Sequence, residues 1–265
     1  MKIALVQMNS GGDIAENIAT LTTMVQQAAA SGTQLVATPE NSFRMEVPGE
    51  PRLYFPQAEH PGLIAASQLA KKHKLWLLIG SAAVSAHGDK PYNRSVLFNP
   101  EGQDVAHYDK IHLFDVELGA GESYSESSRF GAGDTPVVAS TPWGGLGLSI
   151  CYDVRFAHLY RNLAKQGAQI LSVPAAFTVP TGEAHWHVLL RARAIEHGCF
   201  VIAPAQTGTH PGGRKTYGHS LIIDPWGEVL ADGGTDVGLI TAELDLDMVA
   251  QVRGKLPSLT HDRPF

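Results

Sequence analysis

The chain predicts an α/β fold in which a sheet core of two layers is flanked by helices. Three observations carry that expectation. Short apolar runs alternate with segments of helical periodicity along the whole length. Two pairs of strand-like runs are joined by turns containing Pro and Gly, which adds antiparallel hairpins to an otherwise β-α-β order. No low-complexity linker breaks the 265 residues, so a single domain over residues 1–265 is expected.

The elements follow in order. IALVQM (3–8) reads as a buried strand. Asp13, with Glu16 three residues on, resembles a capping box, and Ile14, Ile18, Leu21, Val25 and Ala28 then recur at helical spacing towards Gly32. QLVATP (34–39) is a second strand, and a helix from about 61 to 74 leads into LWLLIG (75–80). Residues 95–110 read as a hairpin about a Pro-Glu-Gly turn. Beyond it come VVAS (137–140), LGLSIC (146–151), a helix near 156–166, QILSVPA (169–175), a helix near 184–197 and FVIAPA (200–205). SLIIDPWGEVLA (220–231) repeats the hairpin pattern, and GLITAEL (238–244) precedes a last short helix.

Composition narrows the function classes. A 44% apolar, 17% charged chain is an ordinary globular protein, and a formal net charge of −6 without a basic stretch argues against nucleic-acid or anionic-membrane partners. The first ten residues, MKIALVQMNS, hold too short an apolar run for a signal sequence, and no segment approaches the roughly 20 apolar residues of a membrane span. Two cysteines, Cys151 and Cys199, are too few for a disulfide scaffold or a thiolate zinc site, and a reducing cytoplasm is expected.

Cys151 closes an apolar run and precedes a charged, aromatic segment, a strand-to-helix corner where α/β proteins expose reactive side chains. Packing, disulfide, metal-ligand and nucleophile roles are all open to a cysteine there. Cys199, beside Phe200 and a core strand, reads as packing. Glu40 stands straight after a strand, in a loop at the sheet's edge, and Lys110 ends the second strand of the hairpin. Taken alone, each of these two is as ordinary as a solvated loop acid or a surface lysine.

Together, Glu40, Lys110 and Cys151 form a recognisable set. The chain resembles the nitrilase superfamily of carbon–nitrogen hydrolases in TPEN (38–41), YDKIHLFD (108–115) and SICYDVRF (149–156). The likeness continues through PAAFTVPTGEAHWHVLLRARAIEHGCFVIAPAQ and YGHSLIIDPWGEVLA, nearly the whole chain. The resemblance implies a four-layer α-β-β-α sandwich that pairs into a homodimer. It also implies a Glu40, Lys110 and Cys151 triad, a supporting Glu126 in SESSRFGAGD, and no metal or organic cofactor. Glu117 and Glu122 lie nearby but match that pattern less well.

The chemistry is coherent on its own terms. A thiol needs a base or a cation nearby to react at neutral pH, and Glu40 and Lys110 supply the two. Lys110 and the backbone N–H of Tyr152 would receive the oxyanion. Asp153 and Arg155 could lock the corner behind Cys151 through an ion pair or backbone bonds. Arg155 could instead bind a substrate carboxylate. Walls of the pocket are expected from Phe177 and Thr178 and from the 42–57 loop with Arg44, Arg52 and Tyr54. The Gly-rich, basic loop 207–216 could contact a larger substrate, though it reads first as a flexible surface turn. His187 and His158 stand where members of the superfamily more often carry Glu, so an ion pair that Glu makes at position 187 in other members is in doubt here.

Within the superfamily, KIHLFDVEL, FTVPTGEAHW and TYGHSLIIDPWGEVL look most like the branch of deaminated glutathione amidases. That likeness implies a small-molecule amide substrate, cleaved to 2-oxoglutarate and cysteinylglycine as a metabolite repair. The related ω-amidase branch, acting on 2-oxoglutaramate, is the main alternative. It tends to carry Trp and Asn where this chain has Tyr217 and Asp224. Another aliphatic amidase or nitrilase activity, and a non-catalytic scaffold, are the remaining readings. An intact Glu40, Lys110 and Cys151 argues against the scaffold.

Overall fold

The structure, a computed structural model, describes residues 1–85, 90–119 and 122–263. The first half of the chain builds β1 (Lys2–Gln7), α1 (Ile14–Ala30), β2 (Leu35–Ala37), α2 (Pro61–His73), β3 (Trp76–Val84), β4 (Tyr92–Phe98) and β5 (Asp104–Asp109). A small ribbon follows, β6 (Asp115–Gly119) and β7 (Glu122–Ser125). The second half gives β8 (Val137–Thr141), β9 (Gly144–Leu148), α3 (Ala157–Lys165), β10 (Ala168–Ser172), α4 (Val179–His197) and β11 (Phe200–Ala203). A second ribbon, β12 (Thr207–Thr209) with β13 (Lys215–Tyr217), precedes β14 (Leu221–Ile223), β15 (Val229–Asp232), β16 (Gly238–Glu243) and α5 (Asp247–Lys255).

Two six-stranded sheets result, ordered β16-β1-β2-β3-β4-β5 and β15-β14-β11-β10-β9-β8. In each, three central strands run parallel (β1, β2, β3 and β9, β10, β11), and antiparallel strands extend both edges. Strand periodicity explains the stacking. Ala4 and Val6 of β1 face α1 and α2, in a core with Leu21, Val25, Leu63 and Ala66. Ile3 and Leu5 point the other way, into a core shared with Leu146, Leu148, Ile170 and Val201 of the second sheet. That core continues through to Leu159, Leu163, Trp186 and Leu190 of α3 and α4. The order is therefore α-β-β-α, the four-layer sandwich expected, and burial on both faces is why the central strands read as unbroken apolar runs.

Local chemistry sets the boundaries. Asp13 caps α1 by accepting hydrogen bonds from the N–H groups of Ala15 and Glu16. The helix expected near 184 starts earlier, at Val179, because Pro180 is tolerated in a first helical turn where its missing N–H has no partner to lose. The strand expected to run to Cys151 stops at Leu148. Cys151 instead opens a 3-10 helix over Cys151–Arg155, with φ at +49°.

Candidate active site

Glu40, Lys110 and Cys151 leave three different strands and meet at one end of the sandwich. The Glu40 loop, straight after β2, is pressed against β3. A Cβ at Gly80 would lie 2.1 Å from the Thr38 carbonyl oxygen and 2.5 Å from that of Pro39, so only glycine permits this approach. Thr38 fixes the turn further, its hydroxyl accepting from Gly80 N–H at 2.9 Å. Lys110, just past β5, is pinned by its backbone: its N–H donates to Asn93 O at 3.0 Å and its carbonyl accepts from Gly133 N–H at 2.9 Å.

Side chains complete the cluster. Lys110 Nζ donates to Glu40 Oε1 at 2.8 Å and to Glu126 Oε2 at 2.8 Å, and all three residues are buried. Glu40 Oε2 accepts from Ala176 N–H at 2.9 Å, and Glu126 Oε2 from Phe114 N–H at 2.7 Å. Asn93, on β4, donates one amide nitrogen to both carboxylates, at 2.9 Å to Glu40 Oε1 and 3.1 Å to Glu126 Oε1. Glu117, by contrast, is exposed and accepts a hydrogen bond from Ser123. Asn93 escaped the sequence reading. Its signal was a polar residue in step with Ser95 on the inward face of an apolar strand.

Burial raises the carboxyl pKa of Glu40, yet the charge and hydrogen bond of Lys110, the charge of Arg214 and the nearby thiol together hold it below its ordinary 4.5. Burial opposes charge on Lys110 too, but Glu126 and Glu40 overcome it and push the ammonium pKa above 10.5. Burial and the Glu40 charge raise the Cys151 thiol above 9.0 despite the opposing pull of Lys110. The resting state is thus a neutral thiol facing a carboxylate. Lys110 favours the thiolate, as expected, but desolvation and Glu40 outweigh it until the proton moves to Glu40.

The corner behind Cys151 is locked by Asp153, though not through Arg155. Asp153 Oδ2 accepts from Ile150 N–H at 2.8 Å and from the Tyr108 hydroxyl at 2.7 Å, while Oδ1 accepts from His112 N–H at 3.0 Å. Arg155 lies outside the cavity wall. Its guanidinium covers the rings of Tyr152 and Phe177 and approaches His185 Nδ1 at 3.3 Å, contacts in keeping with the structural one of the two roles expected for it. Cys199 is packing: its Sγ lies 3.3 Å from Ala168 O, and burial pushes its thiol up to about 11.

Cys151 opens into a cavity of about 530 Å³, within the roughly 300–1,000 Å³ of small-molecule sites. Tyr152, Phe177 and Thr178 line it, as do Arg44, Arg52 and Tyr54 of the 42–57 loop. Loop 207–216 is not the free surface turn expected. Its ends pair as β12 and β13, and Pro211, Gly212 and Arg214 reach the cavity wall. Arg214 donates to Ala176 O at 2.8 Å and lies over the Tyr124 ring. Away from the cavity, His187 Nε2 pairs with Asp232 at 3.1 Å, and His219 joins the same carboxylate at 2.9 Å.

The sequence matches the family model described as "Carbon-nitrogen hydrolase" over residues 2–254. The chain belongs to the carbon-nitrogen hydrolase family. Among curated relatives, it is 44% identical to the deaminated glutathione amidase of Synechocystis sp. (strain PCC 6803), over 97% of this chain and 96% of that one. Against the deaminated glutathione amidase of Mus musculus the identity is 42%, covering 99% of this chain and 83% of the relative. Among solved structures, Nit3 of Saccharomyces cerevisiae, described as a member of branch 10 of the nitrilase superfamily, superposes with a TM-score of 0.85. It is 30% identical and covers 100% of this chain and 97% of its own. In this carbon-nitrogen hydrolase, then, the cluster of Glu40, Lys110, Glu126 and Asn93 beside Cys151 lies in the cavity the fold builds at the strand ends.

Proposed function

We propose that this carbon-nitrogen hydrolase is a deaminated glutathione amidase, splitting a 2-oxo acid amide into 2-oxoglutarate and cysteinylglycine. The observation that carries the hydrolytic half is Lys110 clamped between Glu40 and Glu126, with the Cys151 thiol beside Glu40. The names of the two relatives support the choice of amide.

In this reading, Cys151 Sγ adds to the amide carbon while its proton passes to Glu40, and the carbonyl π pair moves onto oxygen. Lys110 Nζ and the backbone N–H of Tyr152 stabilise that oxyanion. As the carbonyl re-forms, the C–N bond breaks and Glu40 returns the proton to the departing nitrogen. The acyl group remains as a thioester on Cys151. Water then adds to the thioester carbon, giving its proton to Glu40. Collapse expels the sulfur, which recovers that proton, and the free acid leaves. Glu126 keeps Lys110 in place, and Phe177 and Thr178 form part of the wall against the substrate.

A cytoplasmic setting accords with two unpaired, buried cysteines. Among the described residues, no helix is long and apolar enough to cross a membrane. A single domain and a homodimer complete the proposal. Val188 and Ile195 of α4 and Leu256 just after α5 are exposed apolar side chains suited to pairing, and a sedimentation mass of one chain at micromolar concentration would reject the dimer.

The deciding assay follows 2-oxoglutarate release from deaminated glutathione and from 2-oxoglutaramate in parallel, with Cys151→Ala as the blank. Preference for deaminated glutathione is expected. Preference for 2-oxoglutaramate would make the protein an ω-amidase, and full activity in Cys151→Ala would remove the nucleophile.

A further inference from the structure

Two carboxylates against one ammonium leave the buried cluster one negative charge in excess. An anionic substrate is repelled there unless a cation faces it inside the cavity. Four arginines line the wall, and three are accounted for. Arg44 pairs with Glu50 at 3.2 Å, Arg129 pairs with Glu46, and Arg52 is exposed.

Arg214 differs from all of them. It makes no ion pair among the described residues, and its Nε–H is buried with no acceptor. Of its remaining donors, one Nη meets the Ala176 carbonyl at 2.8 Å and the other only the Met45 sulfur at 3.9 Å. The guanidinium is close enough to Glu40 to lower its affinity for protons, and Tyr124 lies beneath it. A buried N–H without a partner is costly, and a carboxylate accepting from the guanidinium edge would satisfy it.

We propose that Arg214 is the carboxylate anchor of the substrate and sets the preference of the site for anionic over neutral amides. The inference rests on the amidase reading above. A deaminated glutathione molecule carries one carboxylate on its acyl side and one on its leaving group. 2-Oxoglutaramate carries only the first, so the two substrates separate the possible sources.

The test compares wild type with Arg214→Gln and Arg214→Lys on deaminated glutathione, 2-oxoglutaramate and neutral butyramide. Removing Arg214 also perturbs Glu40, so some loss is common to all three amides. The anchor predicts that the anionic-to-neutral ratio of kcat/KM falls about ten- to a hundredfold in Arg214→Gln, chiefly through KM. Arg214→Lys, a point charge without the fork, should recover part of it. A ratio lowered for both acids places the acyl carboxylate on Arg214, and one lowered only for deaminated glutathione places the leaving-group carboxylate there. An unchanged ratio overturns the anchor.

A second readout does not depend on the substrate. Glutarate should protect Cys151 from iodoacetamide in wild type and at least about tenfold more weakly in Arg214→Gln. Equal protection overturns the anchor. If wild type cleaves neither 2-oxo amide but shows this difference, the substrate reading fails and the anchor stands.

Discussion

The Tyr108 hydroxyl donates a 2.7 Å hydrogen bond to Asp153 Oδ2, and so ties the first sheet to the corner that carries the nucleophile in the second. Both side chains are buried, and the burial and negative charge around the phenol raise its pKa. Tyr108→Phe leaves Asp153 short of one partner. Urea titration should show a loss of about 1.5–3 kcal/mol, the range for a hydrogen bond to a charged group. A slower alkylation of Cys151 at unchanged pH should accompany it, since the corner loses a restraint.

Gly80 gives a second prediction, remote from the reacting atoms. A methyl group there meets the carbonyls of Thr38 and Pro39 at distances no Cβ tolerates, so the Glu40 loop must move outward. Gly80→Ala should cost about 1–3 kcal/mol in stability, as overpacking does. The larger effect should be on kcat, by about a hundredfold, because a displacement near 1 Å spoils the alignment of base and thiol.

Removal of Lys110 reverses the sign of a pH effect. In wild type the Glu40 pKa lies below its ordinary 4.5, so its contribution to stability is present above that value and fades as pH falls through the lowered one. Lys110→Ala strands two buried carboxylates without the ammonium hydrogen-bonded to both, at a cost of about 3–5 kcal/mol near neutral pH. Acid then relieves the variant by protonating them. Melting temperature should rise from pH 8 to pH 5 in Lys110→Ala and not in wild type, and parallel curves for the two proteins would refute the clamp.

The two glutamates should separate by rate. Glu40→Gln removes the proton carrier and should lower kcat by about 10²–10⁴, the span of general acid–base catalysis. Glu126→Gln keeps the carrier and loosens Lys110, so its loss should be smaller; the reverse ranking would exchange their roles. The wild-type pH profile follows from the same charges. With Glu40 ionised down past 4.5 and the Cys151 thiol and Lys110 protonated up past 9.0, kcat/KM should be flat between those limits.

Glu40, Lys110 and Cys151 each stand where a strand ends, where a parallel sheet delivers side chains to a common edge. It was the resemblance carried by TPEN, YDKIHLFD and SICYDVRF that singled them out as a set. The central strands were legible without it, since burial on both faces writes an unbroken apolar run. Asn93 was hidden because its role depends on two carboxylates that arrive from Glu40 and Glu126, far along the chain. Arg214 was half-hidden by its setting, since the basic loop that carries it had substrate contact only as its second reading. Glycines around it suggest a loose turn, whereas Gly212 packs against Pro48 and folds that turn over the cavity. Of the two ways expected to lock the corner, the backbone bonds to Asp153 are present, while its side-chain partners Tyr108 and His112 stayed hidden because they are near only in space.

Cys151 holds a backbone conformation, φ +49°, that an L-residue occupies at a cost of about 1–2 kcal/mol. Glycine would sit there without strain. A library of variants sorted for heat resistance alone should therefore drift towards Cys151→Gly, a chain that survives longer and has no sulfur to react. Durability and turnover pull this one position in opposite directions, and any scheme for hardening the protein has to screen for both.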